Sequence, residues 1–433
     1  MYKIGNIFKG DKGIWTVFLF LCLISIIEVF SASSTLTYKS QNYLSPLIYH
    51  CGTLLVGLLV AIVTLNIQCR YFKLITPLML LLSYITLACV LFFGENINGA
   101  NRVIQLPGFT FQPSEIAKGT MVLFTAQILS ALQREDGSGA DPLAMKYILM
   151  FTVPALLLIG RENLSTAVLL FAVIYTMMFL GRMPWKQMAK LTCACLVCAA
   201  VFLALVFSVG SMEDDEAQGE AVASAASVDK ESEEQNPFRS VTHRFATWRN
   251  RLLKKSGSET PEDPNEYRIT DDNFQVTHAN IAIASSGVIG KGPGNSVERD
   301  YLPQAFSDFI YAIIIEEMGI AGAVVVVFLY VVLLFRCARI AGRCENNFPA
   351  YLVMGLSLLL VYQAVINMAV AVDFGIVTGQ PLPLVSKGGT STIVNCAYIG
   401  AILSVSRSAK RTDAEVRRMS NAKHSEPLEN EEA

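Results

Sequence analysis

Charge is scarce in this sequence. Only 16% of its 433 residues are Asp, Glu, Lys or Arg, whereas soluble domains carry about 25%. Hydrophobic residues make up 53%, and the mean hydropathy is +0.45. The apolar residues occur in runs of about 18 or more, the length that crosses a hydrocarbon core about 30 Å thick. The composition therefore excludes a soluble globular protein and predicts a chain that crosses a membrane many times.

Cysteines and aromatic residues are missing from parts of the long polar segment 210–306. None of the ten cysteines falls in this segment, which excludes a disulfide framework there. Residues 211–236 also lack aromatic side chains and are predicted to be flexible, because Ala, Ser, Glu and Asp cannot build a core. Arg and aromatic residues return at Pro237, which predicts a partly membrane-associated, amphipathic stretch over 237–306.

Ten apolar stretches are predicted to be transmembrane helices, because a backbone in lipid must pair its own polar groups. They cover residues 14–33, 45–66, 73–93, 113–132, 147–159, 163–180, 187–209, 307–335, 350–374 and 390–406. The fifth and sixth are short, and we expect them to form a bent or partly inserted pair. The predicted fold is an all-α polytopic membrane protein, with helices 1–7 in residues 1–209 and helices 8–10 in residues 307–406.

Lysine and arginine residues predict the orientation of the chain. They concentrate at both ends of the chain and in alternate loops, whereas the short loops between these hold one cation each. By the positive-inside rule, both termini are cytoplasmic, including the tail 407–433. The segment 210–306 is then an extracytoplasmic loop between the seventh and eighth helices.

Asp308 lies where this polar loop ends and the span 307–335 begins. A carboxylate at the boundary between water and lipid can stay ionised and face a lipid-borne substrate. The alternative is that Asp308 is the N-cap of the helix, since Asp is a preferred cap. On one continuous helix, Glu316 would lie about 80° around from Asp308 and Glu317 on the opposite side. Only Glu316 would then share a cavity with Asp308.

Glu115 and Lys118 are ionisable residues inside the span 113–132. Their spacing of i, i+3 places both on one face of the helix, where they can pair. Two interpretations stay open at this point. The pair either locks neighbouring helices together or belongs to a reaction cavity.

Several cations are predicted to lie on the outer side, near the loops that flank Asp308. They are Arg102, Arg161, Lys291, Arg299 and Lys387. Together they predict an anionic substrate such as a phosphate. Ser386 and Ser391 flank Lys387 and a pair of glycines just before the last span, a pattern that fits a phosphate cradle at a helix N-terminus.

Four motifs stand out in the sequence. They are NRVIQLPGFTFQPSEIAK at 101–118, SSGVIGKGPG at 285–294, YLPQAFSDFIYAIIIEEMG at 301–319 and PLVSKGGTS at 383–391. Together they resemble one family, the SEDS proteins of bacterial envelope growth. The spacing around Gly294 is more like the cell-division members than the elongation members. Three positions depart from the family pattern: Asn163 stands where an Asp is usual, Phe306 where a His is usual, and Lys387 replaces an aromatic residue. No acid role can therefore be carried to Asn163, although Glu162 can substitute for it.

The resemblance implies a function, a partner and a location. SEDS proteins polymerise glycan strands from lipid II, which carries undecaprenyl pyrophosphate, and work with a class B penicillin-binding protein and other cell-division proteins. The family's essential Asp falls on Asp308, which implies an inverting glycosyltransferase with Asp308 as general base. The expected location is the bacterial cytoplasmic (inner) membrane, with the active site on the extracytoplasmic face.

The residues expected to bind substrate are Arg102, Glu115, Lys118, Lys291, Glu316, Ser386, Lys387 and Ser391, with Arg161 as a further cation for the pyrophosphate. A divalent cation (Mg or Mn) is a possible cofactor, and no nucleic-acid partner is expected. Two other functions stay open. One is a flippase or transporter of a lipid-linked precursor, and the other is a non-enzymatic scaffold that recruits or activates a synthase.

Overall fold

The computed structural model describes residues 9–32, 45–93, 95–97, 100–106, 109–135, 139–223, 273–302, 305–374 and 379–425. The chain divides into two compact units. The first contains Met1–Met183 with Asp271–Ala433, and the second is Pro184–Thr270. The predicted amphipathic stretch up to residue 272 lies outside the described residues.

Eleven helices can be followed in the described part of the chain. They are α1 (Lys12–Ala32), α2 (Ser45–Asn66), α3 (Cys69–Phe93), α4 (Pro113–Ala131), α5 (Pro142–Glu162), α6 (Leu164–Leu180), α7 (Trp185–Ala223), α8 (Phe274–Ala284), α9 (Ile310–Ala341), α10 (Asn347–Ala371) and α11 (Thr390–Ser425). Among them α1, α2, α3, α5, α7, α9 and α10 are long and apolar enough to cross a membrane. The helical polytopic fold predicted from the sequence is confirmed.

The second unit contributes α7, which continues to Ala223 and so includes the start of the segment predicted to be the outer loop. In the first unit, α11 likewise continues to Ser425, past the predicted end of the last span at residue 406.

Three short antiparallel strands connect α3 to α4. They are β1 (Glu95–Ile97), β2 (Ala100–Leu106) and β3 (Phe109–Phe111), in the order β1-β2-β3. Ile104 in β2 pairs with Phe111 in β3, one residue before the loop enters α4. This sheet carries the first of the four motifs into the membrane helices.

The fifth span is longer than predicted. Helix α5 has 21 residues, which is enough to cross a membrane, so the expectation of a short segment over 147–159 is wrong. The helix starts early because Asp141 caps it, accepting a hydrogen bond from the Leu143 N–H at 2.8 Å, and Pro142 occupies the first helical position, where a missing N–H costs nothing. At the other end, Asn163 ends α5 and caps α6 by accepting from the Thr166 N–H at 3.2 Å.

Helix α9 is not the continuous helix predicted from residue 307. It begins at Ile310 and breaks at Gly319, whose φ of 71° and ψ of −174° are not helical. The backbones of Gly319 and Gly290 meet here, and a Cβ on Gly319 would lie 2.2 Å from the Val288 carbonyl oxygen. The Ile320 and Ala321 N–H groups, just past the break, donate to the Gly287 and Val288 carbonyls. The break is therefore built by contact with the glycine-rich segment.

The two parts of α9 run in opposite directions along α1. The Ser31 hydroxyl, near the end of α1, donates to Glu317, whereas Arg336 lies 3.7 Å from Asp11 at the start of α1. The chain after Gly319 therefore runs antiparallel to α1. Across the corner at Gly319, the Tyr311 hydroxyl reaches the Ala323 carbonyl at 3.3 Å.

The part before Gly319 is a re-entrant segment. Ser25, about 9 Å before Ser31 along α1, donates to the Val385 carbonyl at 2.6 Å, and the neighbouring Ser386 donates to the Ser307 carbonyl at 2.6 Å. Ser307 therefore lies at about the same level along α1 as Ser25. From there the chain runs in the same direction as α1 until Glu317 reaches the level of Ser31. Asp308 stands at the inner end of this segment, level with Ser25 in the interior of α1, so it does not begin a single continuous spanning helix as the sequence predicted.

Replacing Gly319 with Ala is expected to cost at least about 2–3 kcal/mol of folding free energy, because the new Cβ meets a backbone carbonyl in a left-handed conformation. Gly287→Ala is the matched control, since Gly287 has a φ of +67° but no atom within 4 Å of its Cβ position. It should lose only about 1–2 kcal/mol. Thermal unfolding in detergent measures both variants, and equal stability of the two would contradict a sterically built break.

Candidate functional site

Two irregular segments meet inside the helix bundle, residues 305–309 and residues 380–389. The Lys387 N–H donates to the Phe306 carbonyl at 3.0 Å, and the Ser386 hydroxyl donates to the Ser307 carbonyl at 2.6 Å. Ser386 also accepts from the Leu382 N–H at 2.8 Å, which closes its own turn. Non-helical backbone is tolerated at membrane depth only where protein or a cavity surrounds it. The two segments provide hydrogen-bond partners for each other's backbone in this way.

Asp308 is half-buried in the first segment. Its Oδ1 accepts from the Ser307 hydroxyl at 3.0 Å, and its backbone carbonyl accepts from Asn367 Nδ2 at 2.8 Å. The N-cap of α9 is Phe309, with no side-chain capping bond, so the interpretation of Asp308 as the N-cap is wrong. The turn is fixed through its backbone carbonyl.

Lys387 is the cation that the structure brings to the Asp308 turn. Its side chain is half-buried, with Nζ 5.1 Å from the centre of the Phe306 ring. Burial lowers the pKa of the Lys387 ammonium, because a charged group loses solvation there. A bound anion would restore that lost stabilisation. Lys387 is therefore well placed for an anionic group.

Glu115 and Lys118 form a buried ion pair on α4, with 2.9 Å between Oε1 and Nζ and at most 2% of either side chain exposed. Lys118 also donates to Gln363 Oε1 at 2.8 Å, and Glu115 accepts from the Ser391 hydroxyl at 3.2 Å. The Tyr398 hydroxyl donates to the Glu115 backbone carbonyl. Sequence analysis predicted the pair but not the partners that join it to α10 and α11.

Amides on α10 connect this ion pair to the Asp308 turn. Gln363 donates to the Pro381 carbonyl at 2.9 Å, and Asn367, one turn later, donates to the Gln380 carbonyl at 2.7 Å. Gln380 in turn donates to Thr166 at 2.6 Å. Sequence analysis missed these three amides, although two polar residues at i, i+4 in an apolar span are a usable signal. A neutral amide in a membrane span is a weaker indication of function than a charged side chain.

Two of these amides retain unused acceptors. Within the described residues, the buried side-chain oxygens of Asn367 and Gln380 have no hydrogen-bond partner. Buried acceptors without partners are costly in a folded protein. A polar molecule or water bound next to the Asp308 turn would donate hydrogen bonds to these two oxygens.

Glu316 and Lys291 belong to a separate cluster. Glu316 is fully buried and accepts from Lys291 Nζ at 2.6 Å, from the Ser296 hydroxyl, and from the N–H groups of Val297 at 3.0 Å and Glu298 at 3.3 Å. Its backbone lies about 9 Å along the helix axis from Ile310, where α9 begins after the Asp308 turn. These contacts hold the glycine-rich segment 287–297 against α9.

Glu317 completes the same attachment. It accepts from the N–H groups of Gly294 at 3.0 Å and Ser296 at 3.2 Å and from the Ser31 hydroxyl, and it lies 3.8 Å from the Arg299 guanidinium. The structure therefore does not bring Lys291, Glu316 or Arg299 into contact with Asp308.

Two further cations were predicted near Asp308. Arg102 lies in β2, and its side chain is outside the described residues. Arg161 is exposed near the end of α5.

The described residues do not form a site for a resident divalent cation. They contain no group of three or more His, Cys, Asp or Glu side chains that could hold a metal ion. Hard cations prefer several oxygen ligands, which a single carboxylate such as that of Asp308 does not supply by itself.

The family model for the cell cycle proteins FtsW, RodA and SpoVE matches residues 11–224 and 239–411 of the chain. The chain belongs to this family. The match includes all four motifs and the residues of both irregular segments. The FtsW/RodA/SpoVE family is the SEDS family that the motifs resemble, so that sequence-based prediction is confirmed.

Relatives from several bacteria align with most of the chain. A probable peptidoglycan glycosyltransferase FtsW of Halomonas elongata is 29% identical over 411 residues, which is 91% of this chain and 90% of the relative. The protein of the same name from Hahella chejuensis is 30% identical over 366 residues, 83% of this chain and 80% of the relative. Similarity of this extent is not confined to a single domain.

Solved structures of this family have the same fold. One chain comes from a study of polymerization and crosslinking by a peptidoglycan synthase complex, with a TM-score of 0.67, 23% identity and coverage of 92% of this chain and 98% of that one. The rod shape determining protein RodA of Thermus thermophilus has a TM-score of 0.60 at 20% identity, with coverage of 93% and 98%. The architecture is that of a multi-pass bacterial membrane protein.

Proposed function

We propose that this protein is a peptidoglycan glycosyltransferase that polymerises lipid II during septal cell-wall synthesis. The relatives named FtsW support the reaction and the septal role. The observation that carries the proposal is the Asp308 turn, a half-buried carboxylate fixed through its backbone at the inner end of a re-entrant segment. A lipid-borne sugar can meet a base there without leaving the membrane.

Asp308 is the general base in this reaction. The acceptor hydroxyl attacks the anomeric carbon of the donor sugar, its proton passes to the Asp308 carboxylate, and the bond from that carbon to the pyrophosphate oxygen breaks. The transition state has oxocarbenium character. Attack from the face opposite the leaving group inverts the anomeric configuration, so an α-linked donor gives a β-linked strand. A positioned base contributes about 10²–10⁴-fold to such a step.

The leaving undecaprenyl pyrophosphate needs positive charge. Lys387 contacts the Asp308 turn through its backbone N–H and lies beside the Phe306 ring, and Arg102 and Arg161 remain candidates from the sequence. Ser386 and Ser391 serve first as structural donors, to the Ser307 carbonyl and to Glu115. If Mg or Mn takes part, its ligands would come largely from the substrate's own pyrophosphate, because the described residues contain no group of three or more His, Cys, Asp or Glu side chains that could hold it.

Replacing Lys387 with Met is expected to lower polymerisation about 10- to 100-fold, since a charge-assisted contact to phosphate is worth about 1.5–3 kcal/mol. Most of the effect should appear in KM for lipid II. Lys387→Arg keeps the charge and should retain most of the activity. A Lys387→Met variant with unchanged KM and kcat would show that other cations bind the pyrophosphate.

The partners follow from the same proposal. A class B penicillin-binding protein would cross-link the strands, other cell-division proteins would recruit the pair, and no nucleic acid is involved. Both termini are placed in the cytoplasm and the Asp308 turn on the extracytoplasmic side of the inner membrane, in agreement with the distribution of Lys and Arg.

The decisive experiment supplies fluorescent lipid II to the purified chain, first alone and then together with its partner synthase. Any polymerase activity that belongs to the partner itself is inactivated beforehand. A ladder of glycan strands on a gel supports the proposal. Movement of lipid II across vesicles without strands would instead identify a flippase. A parallel reaction in which the partner keeps any polymerase of its own tests the third function, because strands that form only there would identify a scaffold.

A further inference from the structure

A buried histidine outside the site described so far reaches it through one serine. His50 on α2 and Ser25 on α1 are 1% and 0% exposed, and His50 Nε2 lies 2.8 Å from Ser25 Oγ. Ser25 Oγ also lies 2.6 Å from the Val385 carbonyl oxygen. The three groups join α1 and α2 to the irregular segment 380–389.

The direction of these hydrogen bonds can be assigned. A carbonyl oxygen only accepts, so the single proton of the Ser25 hydroxyl is donated to Val385. The oxygen of Ser25 must then accept from His50, which requires a proton on His50 Nε2. Both the neutral Nε2–H tautomer and the charged ring provide it. His50 is therefore a donor whose task is to orient a hydroxyl.

Val385 is followed by the two residues that hold the Asp308 turn. Ser386 donates to the Ser307 carbonyl at 2.6 Å, and the Lys387 N–H donates to the Phe306 carbonyl at 3.0 Å. A shift of the Val385 peptide would move both donors together.

We infer that His50 is a positioning residue for glycan polymerisation: through Ser25 it holds the Val385 peptide, and with it the mutual placement of Lys387 and Asp308. This inference rests on the proposed function. His50 does not touch Asp308 in the structure, so its effect is on geometry. A misplacement of reacting groups by about 1 Å can cost about 10²-fold in rate.

The test compares variants that differ in the reach of one N–H donor. A Gln side chain extends to about the position of His Nε2 and can donate to Ser25, whereas an Asn side chain is one methylene shorter and cannot. His50→Gln is expected to keep kcat within about 3-fold of the unsubstituted protein, and His50→Asn to lose about 10- to 100-fold in kcat with little change in KM for lipid II. Thermal unfolding of each variant in detergent checks that the fold is retained.

A double-mutant cycle with Ser25→Ala provides a second measurement. If His50 acts through Ser25, the loss in kcat from His50→Asn and Ser25→Ala together should be no larger than the larger single loss. Additive losses would contradict the inference. So would a fully active His50→Asn, or a His50→Gln as impaired as His50→Asn. Strand formation by the unsubstituted chain is the reference, and its absence would refute the proposed function itself.

Discussion

Replacing Asp308 with Asn is expected to reduce lipid II polymerisation by about 10²–10⁴-fold, the usual contribution of a general base. The amide has the size of the carboxylate and can still accept from the Ser307 hydroxyl, but it cannot take up the proton of the acceptor sugar. The backbone bond from Asn367 to residue 308 does not depend on the side chain. The loss should therefore appear in kcat, with folding and partner binding retained.

Asp373→Asn is the matched control for Asp308→Asn. Asp373 is an exposed acid just past the end of α10, and its φ of 57° is a conformation that Asn tolerates well. The substitution changes the net charge by the same amount at a position outside the Asp308 turn. Both variants are compared as strand ladders from fluorescent lipid II. Undiminished ladders from Asp308→Asn would refute the base assignment while leaving the polymerase proposal in place.

The spans were predictable where local signals mark their ends. The predicted starts at residues 45, 113 and 390 coincide with the starts of α2, α4 and α11. Pro46 and Pro113 stand in the first turns of two of these helices, where proline is favourable. In each case a polar loop ends and an apolar run begins within a few residues. Hydropathy and helix-start chemistry indicate the same boundary.

The re-entrant segment was not predictable in the same way. Residues 310–335 form an almost uninterrupted apolar run, and a hydropathy pattern cannot distinguish a long helix from two short ones joined by a corner. The corner at Gly319 depends on the Val288 carbonyl, 31 positions earlier in the chain. A glycine in an apolar helix is common, so its left-handed conformation emerges only from this tertiary contact.

Charged site residues were predictable individually, but their partners were not. The sequence singled out Glu115 and Lys118 because charges are costly in a membrane helix, and Lys387 because it is a cation in a loop that flanks Asp308. The bond from Lys118 to Gln363 joins residues 245 positions apart. Long-range pairs of this kind leave no periodic signal in one sequence. Helix α10 can connect these groups because it lies inside the bundle: 72% of its apolar stretch is buried, against 22% for α2. This difference is a property of the packed fold.

Replacing Lys118 with Met is expected to destabilise the folded protein by about 3–5 kcal/mol, the typical cost of removing one partner of a buried ion pair. Glu115 would keep the Ser391 hydroxyl, 3.2 Å away, but its charge would have no cation. Gln363 Oε1 would also lose its donor, at about 1–3 kcal/mol. A lower midpoint of thermal unfolding in detergent is the measurement.

The double variant Glu115→Gln with Lys118→Met decides between the two interpretations of this pair. Removing both charges leaves no uncompensated buried ion, so a pair that only locks helices should regain most of its stability, and polymerisation should recover with it. A pair that belongs to the reaction cavity predicts the opposite combination, with stability regained and polymerisation still absent. The contacts to Gln363 and Ser391 connect the pair to the irregular segment 380–389 and to α11 by structural bonds, so we expect stability and activity to return together. Activity that stays lost in a stable double variant would place Glu115 and Lys118 in the chemistry.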